Sequence, residues 1–435
     1  MFGRIEIMMK VSSWLACLAL ICLNSVSTSA QQLTPAWVQL GEGGAAMAKI
    51  VVASPDQCPA IIFDGMSHSM LVRIPIPDNF PPLCEKMIPG AARSASVNGQ
   101  PLVLPKPNPS TVIAFGDTGC RIKGVRAQNC KKNGEWPFEQ VAAGAAAENP
   151  DLIIHVGDFV YRESPCPAGS EAECGGTTEG DNWETYNTDF FSPAAKLLAS
   201  APWVFERGNH EDCTRSWRGW FYYLGPRAWN PVCQQYTAPY TVKLGSFELI
   251  VIDTSAAAED KLDEKQASTY AEQMKGIQSS GAWLVSHYPF WGFKADVLGK
   301  PSIPVSPTLQ EAWNLASPKG ISLVLSGHVH LFELVALGPD RPTQVVAGGG
   351  GTELAMPLTA SVNGAAVRGS TVVASQSEHQ FGFTVLNRHG NAWRLTLKNP
   401  RQNELFSCVL SGQGREVPTA HRSNQDDEPY CGDMH

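Results

Sequence analysis

The chain has 435 residues, a net charge of −8 and 12 cysteines, with basic residues scattered among acidic ones and never gathered in a block. That balance argues against nucleic acid as a partner, since such partners need a basic face to neutralise phosphates. The length exceeds what one hydrophobic core usually organises, so a second, smaller domain is expected.

Residues 1–30 read as a secretory signal. Arg4 and Lys10 supply a basic start, an apolar stretch runs from Val11 to Leu23, and the small residues Thr28, Ser29 and Ala30 precede Gln31. The apolar stretch is too short to span a bilayer comfortably, and no later stretch is long enough, so no membrane span is expected. The mature chain is expected to begin at Gln31 and to be secreted or periplasmic. Cys17 and Cys22 fall in the signal, leaving an even set of cysteines that fits an oxidising compartment. Sequence neighbours suggest the bridges Cys58–Cys84, Cys120–Cys130, Cys166–Cys174, Cys213–Cys233 and Cys408–Cys431, although spacing alone leaves the connectivity open. The absence of any C-x-x-C pair counts against a thiolate zinc cluster.

Between residues 31 and 109 the runs Lys49–Ala53, Ala60–Phe63 and Met70–Ile74 have strand character, are punctuated by Pro and Gly, and alternate with no long helical period. A small all-β domain is expected there, ending in a stiff linker over Pro101–Pro109. Residues 110–435 change character. Strand-like runs at Thr111–Phe115, Leu152–Val156, Trp203–Glu206, Ala282–Val285 and Ile321–Leu325 alternate with helical segments at Phe138–Glu148, Pro193–Ser200, Leu262–Ser279 and Thr308–Ala316. This predicts a layered α/β domain with two sheets sandwiched by helices. The later runs Leu331–Leu337, Gln344–Ala347, Phe381–Leu386 and Trp393–Leu397 are expected to complete the second sheet. The loop Ser164–Asp181, which begins just after Tyr161, is expected near the mouth of the site.

Each of the five strand-like runs is followed by a short polar island: Gly116-Asp117, Gly157-Asp158-Phe159-Val160-Tyr161, Gly208-Asn209-His210-Glu211, His287-Tyr288-Pro289 and Gly327-His328-Val329-His330. Open α/β sheets place their active sites at such strand ends. A single Gly-Asp after a strand is usually only a turn. Taken together, however, the islands offer carboxylates, imidazoles, an amide and a phenol, a mixed oxygen and nitrogen set suited to two transition ions. Asp158 has two carboxylate oxygens with which to bridge, and Asp117 and Tyr161 supply anionic oxygen suited to trivalent iron. Gly348–Gly351 lacks the Lys and Ser/Thr of a phosphate-binding loop and reads as a turn. The aromatic cluster Trp217, Trp220, Phe221, Tyr222 and Tyr223 fits either a substrate cleft or a packing surface.

In the order and spacing of these islands the chain resembles the calcineurin-like metallophosphoesterase superfamily, and within it most resembles the purple acid phosphatases, over roughly Thr111 to Glu333. The resemblance implies that Asp117, Tyr161 and His330 bind a first metal, that Asn209, His287 and His328 bind a second, and that Asp158 bridges them. It implies Fe(III) in the first site and Fe(II), Zn or Mn in the second. Many relatives carry Asp-x-His at the first island; here Thr118 and Gly119 follow Asp117, and Tyr161 takes that ligand position. His210 is implied to face the substrate as a catalytic group, with Glu211 orienting it or a water. Some purple phosphatases carry further histidines after the fourth island, but Phe290 to Lys300 has none. The implied reaction is hydrolysis of small-molecule phosphomonoesters at acidic pH by a metal-bound hydroxide. A phosphodiesterase or nucleotide hydrolase on the same site, and an exported binding protein that has lost catalysis, are the alternatives.

Overall fold

The computed structural model describes residues 1, 3, 32–176, 178–338, 341–410 and 431. The expected leader, apart from positions 1 and 3, lies outside the described residues. Two large sheets face one another. The first has ten strands and its centre is the parallel trio β1 (Thr111–Phe115), β2 (Leu152–His155) and β3 (Trp203–Phe205), in register Phe115↔His155 and His155↔Phe205. The second has eight strands, built around the parallel pair β4 (Gln278–Val285) and β5 (Lys319–Ser326). Side chains alternate across each strand, and the alternation sorts them into layers. Val112, Ala114, Ile154 and Val204 from the first sheet meet Leu249, Trp283, Val285 and Leu325 from the second in one core. Ile113, Phe115, Ile153 and Trp203 point the other way, against helix α1 (Phe138–Ala147), whose Phe138, Val141, Ala142 and Ala145 form its buried stripe. On the far side of the second sheet, Leu284 and Val324 pack against Tyr270 and Met274 of α2 (Glu264–Met274) and Leu309 and Trp313 of α3 (Pro307–Ala316).

Several expected elements are shifted. The helix foreseen to Ser279 stops at Met274, because Gly276 turns the chain with a φ of 78° and residues from Gln278 onward enter β4. The strands Phe383–His389 and Ala392–Lys398, expected in the second sheet, belong to the first: Val385 and Leu386 pair antiparallel with Ile113 and Val112 of β1. Val385 and Leu386 thereby fill both faces of that sheet. Phe332–Leu337 and Thr343–Ala347 do join the second sheet. The strand-rich stretch 32–109 divides its strands. Trp37–Leu40, Ala46–Val51, Leu71–Val72 and Leu83–Met87 extend the first sheet beyond β3, and the others form a separate four-stranded sheet. Trp37–Leu40, which the sequence reading missed, runs parallel to β3. Among the described residues no helix is long and apolar enough to cross a membrane. All five suggested disulfides form with the suggested partners.

The segment entering β1 is held by Asp151. Its carboxylate accepts the Ser110 and Thr111 N–H groups at 2.8 and 3.2 Å, and the Lys106 ammonium at 2.6 Å. Burial pushes this carboxyl up, but the Lys106 and Ser110 donors outweigh it and bring it down to about 2. A depressed carboxyl stabilises the fold above its unfolded value, near about 4, and loses that contribution as pH falls through about 2. Asp151→Ala is therefore expected to cost about 1–3 kcal/mol in denaturant unfolding at neutral pH, and the gap from the parent should shrink on acidification toward pH 2.

Candidate metal centre

The islands at the ends of β1, β2, β3, β4 and β5 converge on one spot between the two sheets. Asp117, Asp158 and His328 all sit at positive φ, 58°, 61° and 71°, where a side chain other than glycine is strained. The neighbouring glycines permit the crowding. A Cβ on Gly157, itself at φ 99°, would lie 2.5 Å from His287 Nδ1, and one on Gly208 would collide with the Asp158 carboxylate.

All seven expected ligand residues are brought together. Tyr161 Oη lies 2.9 Å from Asp117 Oδ1, 2.7 Å from Asp158 Oδ2 and 2.9 Å from His330 Nε2. Asn209 Oδ1 lies 2.9 Å from both His287 Nε2 and His328 Nδ1, and His287 Nε2 is 3.2 Å from Asp158 Oδ2. Two groups of ligand atoms result, Asp117, Asp158 and His330 in one and Asp158, His287 and His328 in the other, each with its ligand atoms within 4.8 Å of one another. Asp158 belongs to both.

The hydrogen-bond directions test whether cations fit here. His287 Nδ1 faces the Val156 carbonyl at 2.8 Å, His330 Nδ1 faces the Glu353 carbonyl at 2.9 Å, and His328 Nε2 lies 3.0 Å from Glu259 Oε1. The two backbone carbonyls hold the proton on the outward nitrogen of His287 and of His330 and leave the other nitrogen of each ring facing inward. The lone pairs then face oxygens of Asp117, Asp158, Tyr161 and Asn209. One phenolic proton also serves three acceptors. A buried cluster of lone pairs facing lone pairs is what cations between them would relieve, and the donor set fits two transition ions.

The titration pattern records the same crowding. Burial, reinforced by Asp158, pushes the Asp117 carboxyl well above its usual range. Burial, then Asp117 and Asp158, pushes the Tyr161 phenol far up. Burial drives His287 down, but Asp158, Asp117 and the Val156 carbonyl together raise it further, to about 9, whereas burial takes His330 down to about 3.

Other expectations change. Glu211 faces backbone rather than the His210 ring: its carboxylate accepts the N–H groups of Asp158, Phe159, Val160 and Gly208 at 2.8–3.2 Å. The group beside His210 is Glu163, whose Oε1 is 3.0 Å from Nδ1. His155 is core, stacked on Phe159 at 3.8 Å and touching Thr118. Trp220, Tyr222 and Tyr223 are buried as packing on the first sheet. Gly350 and Thr352 donate their N–H groups to the Gly116 and Asp117 carbonyls, so the glycine run braces the first island from behind. The sequence reading missed Glu163, Glu259 and Thr254. Thr254 Oγ1 accepts the N–H groups of His287 and Tyr288 at 3.0 and 2.9 Å. Only the Asp253-Thr254 pair, directly after an apolar strand, carried a signal of the kind used for the islands.

The sheet pair carries at its strand ends a donor set suited to two metal ions, and the family match gives the class, a metal-dependent phosphoester hydrolase. The chain belongs to the calcineurin-like phosphoesterase family, whose model matches residues 110–332. The structure is similar to a purple acid phosphatase, PPD1, from yellow lupin (Lupinus luteus), with a TM-score of 0.55 at 14% identity, over 88% of this chain and 74% of that one. PhoD aligns with a TM-score of 0.49 at 10% identity, over 91% of this chain and 93% of that one. No curated protein matches the chain significantly.

Removing the Glu211 carboxylate would strand buried N–H groups, each at a cost of about 1–3 kcal/mol. Glu211→Ala is expected to lower stability by about 3 kcal/mol or more in a denaturant titration. Glu211→Gln, which keeps one accepting oxygen, should recover part of the loss.

Proposed function

We propose that this chain is an exported phosphatase of the binuclear type that hydrolyses phosphomonoesters under acidic conditions. In this reading Asp117, Tyr161 and His330 hold a trivalent iron, and Asn209, His287 and His328 hold a divalent iron, zinc or manganese. Asp158 serves both. The observation that carries the reading is the Tyr161 hydroxyl, buried within 2.9 Å of two carboxylates and an imidazole. A cation seated among these carboxylates would offset the charge that holds the proton on this phenol, and phenolate oxygen suits ferric iron. Five disulfides support export. When bound, the two cations would polarise the phosphoryl oxygens and acidify a water molecule.

The chain's own contribution beyond the ligands centres on His210. Glu163 is pushed up by burial but held low overall by His210, Lys123 and Arg215, so it stays a carboxylate 3.0 Å from His210 Nδ1. The ring places Nε2 toward the centre, 3.9 Å from Asp158 Oδ2. Burial takes His210 down to about 3. A phosphate dianion arriving beside it favours the protonated ring, whose Nε2–H then donates to the phosphoryl or leaving oxygen.

Protein reconstituted with iron is expected to show a visible tyrosinate-to-iron band that Tyr161→Phe abolishes. A colourless, fully active, iron-free enzyme would overturn the iron assignment. His210→Ala should lower kcat on an aryl phosphomonoester by about 10²–10⁴-fold while elemental analysis finds the metal content unchanged. Parent rates on the monoester should exceed those on the matching diester, and the reverse order would make the chain a diesterase.

A further inference from the structure

A recess of about 340 Å³ opens beside His328 and His330, and its outer wall carries Arg121, Arg126 and Glu353. Arg126 belongs to the hairpin Ile122–Lys123/Arg126–Ala127 and Arg121 directly precedes it, both inside the loop closed by the Cys120–Cys130 disulfide. The hairpin is fixed against the metal centre. Ile122 N–H donates to the Tyr161 carbonyl at 3.0 Å, the Glu163 N–H donates to the Ile122 carbonyl at 2.9 Å, and Lys123 pairs with Glu163 at 2.7 Å. The backbone that carries the two arginines is thus held at a set place relative to the ligands rather than on a free loop.

Their only counter-ion among the described residues' ion pairs is a poor one. Arg121 and Arg126 share the Glu353 carboxylate at 3.9 and 3.5 Å, and Glu353 and Arg126 are 45% and 73% exposed. Long, solvated pairs of this kind contribute little, and two guanidinium groups on one carboxylate leave the wall with net positive charge. A phosphate offers a guanidinium stronger, bidentate hydrogen bonds than such a pair. The backbone carbonyl of Glu353 meanwhile orients His330, so its side chain can move without disturbing that ring.

We propose that this recess receives a second phosphate carried on the leaving group, so that diphosphates and bisphosphates are the preferred substrates. The inference rests on the phosphatase reading above. Hydrolysis of such a substrate forms one bond from water oxygen to phosphorus and breaks one P–O bond. The leaving oxygen takes a proton, and the leaving group departs with its second phosphate on the arginines.

The test compares inorganic pyrophosphate and a hexose bisphosphate with an uncharged-leaving-group aryl phosphate. It reads the ratio of kcat/KM values, and also the calorimetric binding of pyrophosphate against phenylphosphonate to metal-loaded protein. The Arg121→Ala/Arg126→Ala variant is expected to lower both ratios at least tenfold, and Glu353→Gln, which frees the arginines, to raise them. Ratios unmoved by the arginine variant would overturn the recess as a phosphate site. If no ester is cleaved, the phosphatase reading fails, and the binding ratio alone still decides for or against the recess.

Discussion

Asp158 sets the terms for the rest of the centre. It is a buried carboxylate whose two oxygens reach Tyr161, His287 and the His210 N–H at 2.7, 3.2 and 2.9 Å. A charge in such a place is costly unless opposite charge surrounds it. Burial pushes its carboxyl up, yet His287 and His210 outweigh burial and hold it well below the usual range. The anion is thus favoured at the one position shared by both ligand groups. Asp117, buried a few ångströms away, shows the opposite tendency. Two neighbouring carboxylates driven in opposite directions are the pattern expected of a functional site.

Holding those atoms together requires a backbone that the sheets alone would not adopt. Strands β1, β2 and β5 each deliver their ligand through a residue forced to positive φ. Such strain persists only where the surroundings over-determine it. Here the surroundings are explicit: Glu211 gathers the N–H groups at the ends of β2 and β3, Thr254 gathers those after β4, and Asp117 accepts the His328 N–H at 3.0 Å. Each clamp joins two different strand ends, so the centre ties the two sheets together as well as serving chemistry.

Much of this was legible in the sequence because the physical requirement is local. A ligand at a strand end needs an apolar run, a glycine that tolerates close approach and then a polar residue, and four of the five islands show that pattern while His287 lacks only the glycine. The layered fold follows from the alternation of the same runs with helical segments. What escaped were groups whose roles depend on tertiary placement. Glu259 and Glu163 are ordinary acidic loop residues until folding sets them 3.0 Å from His328 and His210. Glu211 was legible as important yet misassigned, since nothing in its neighbours reveals that its oxygens turn to backbone. The terminal strands were assigned to the wrong sheet for a related reason: periodicity states that a strand has two buried faces, not which strand it pairs with.

The two flanks of the centre differ in a way that bears on how substrate lies across it. On one side His210 is backed by Glu163, which Lys123 and Arg215 keep ionised. On the other, Arg121 and Arg126 outnumber their single carboxylate. The same short disulfide-closed loop contributes to both, with Lys123 pairing with Glu163 and Arg121 and Arg126 lining the recess. A phosphoester bound at the strand ends would therefore meet a hydrogen-bond donor on one flank and positive charge on the other. Both are positioned by a disulfide-closed element that touches Tyr161 through its backbone. That coupling links the Cys120–Cys130 disulfide to the shape of the site, since reducing it would loosen the element that borders both flanks.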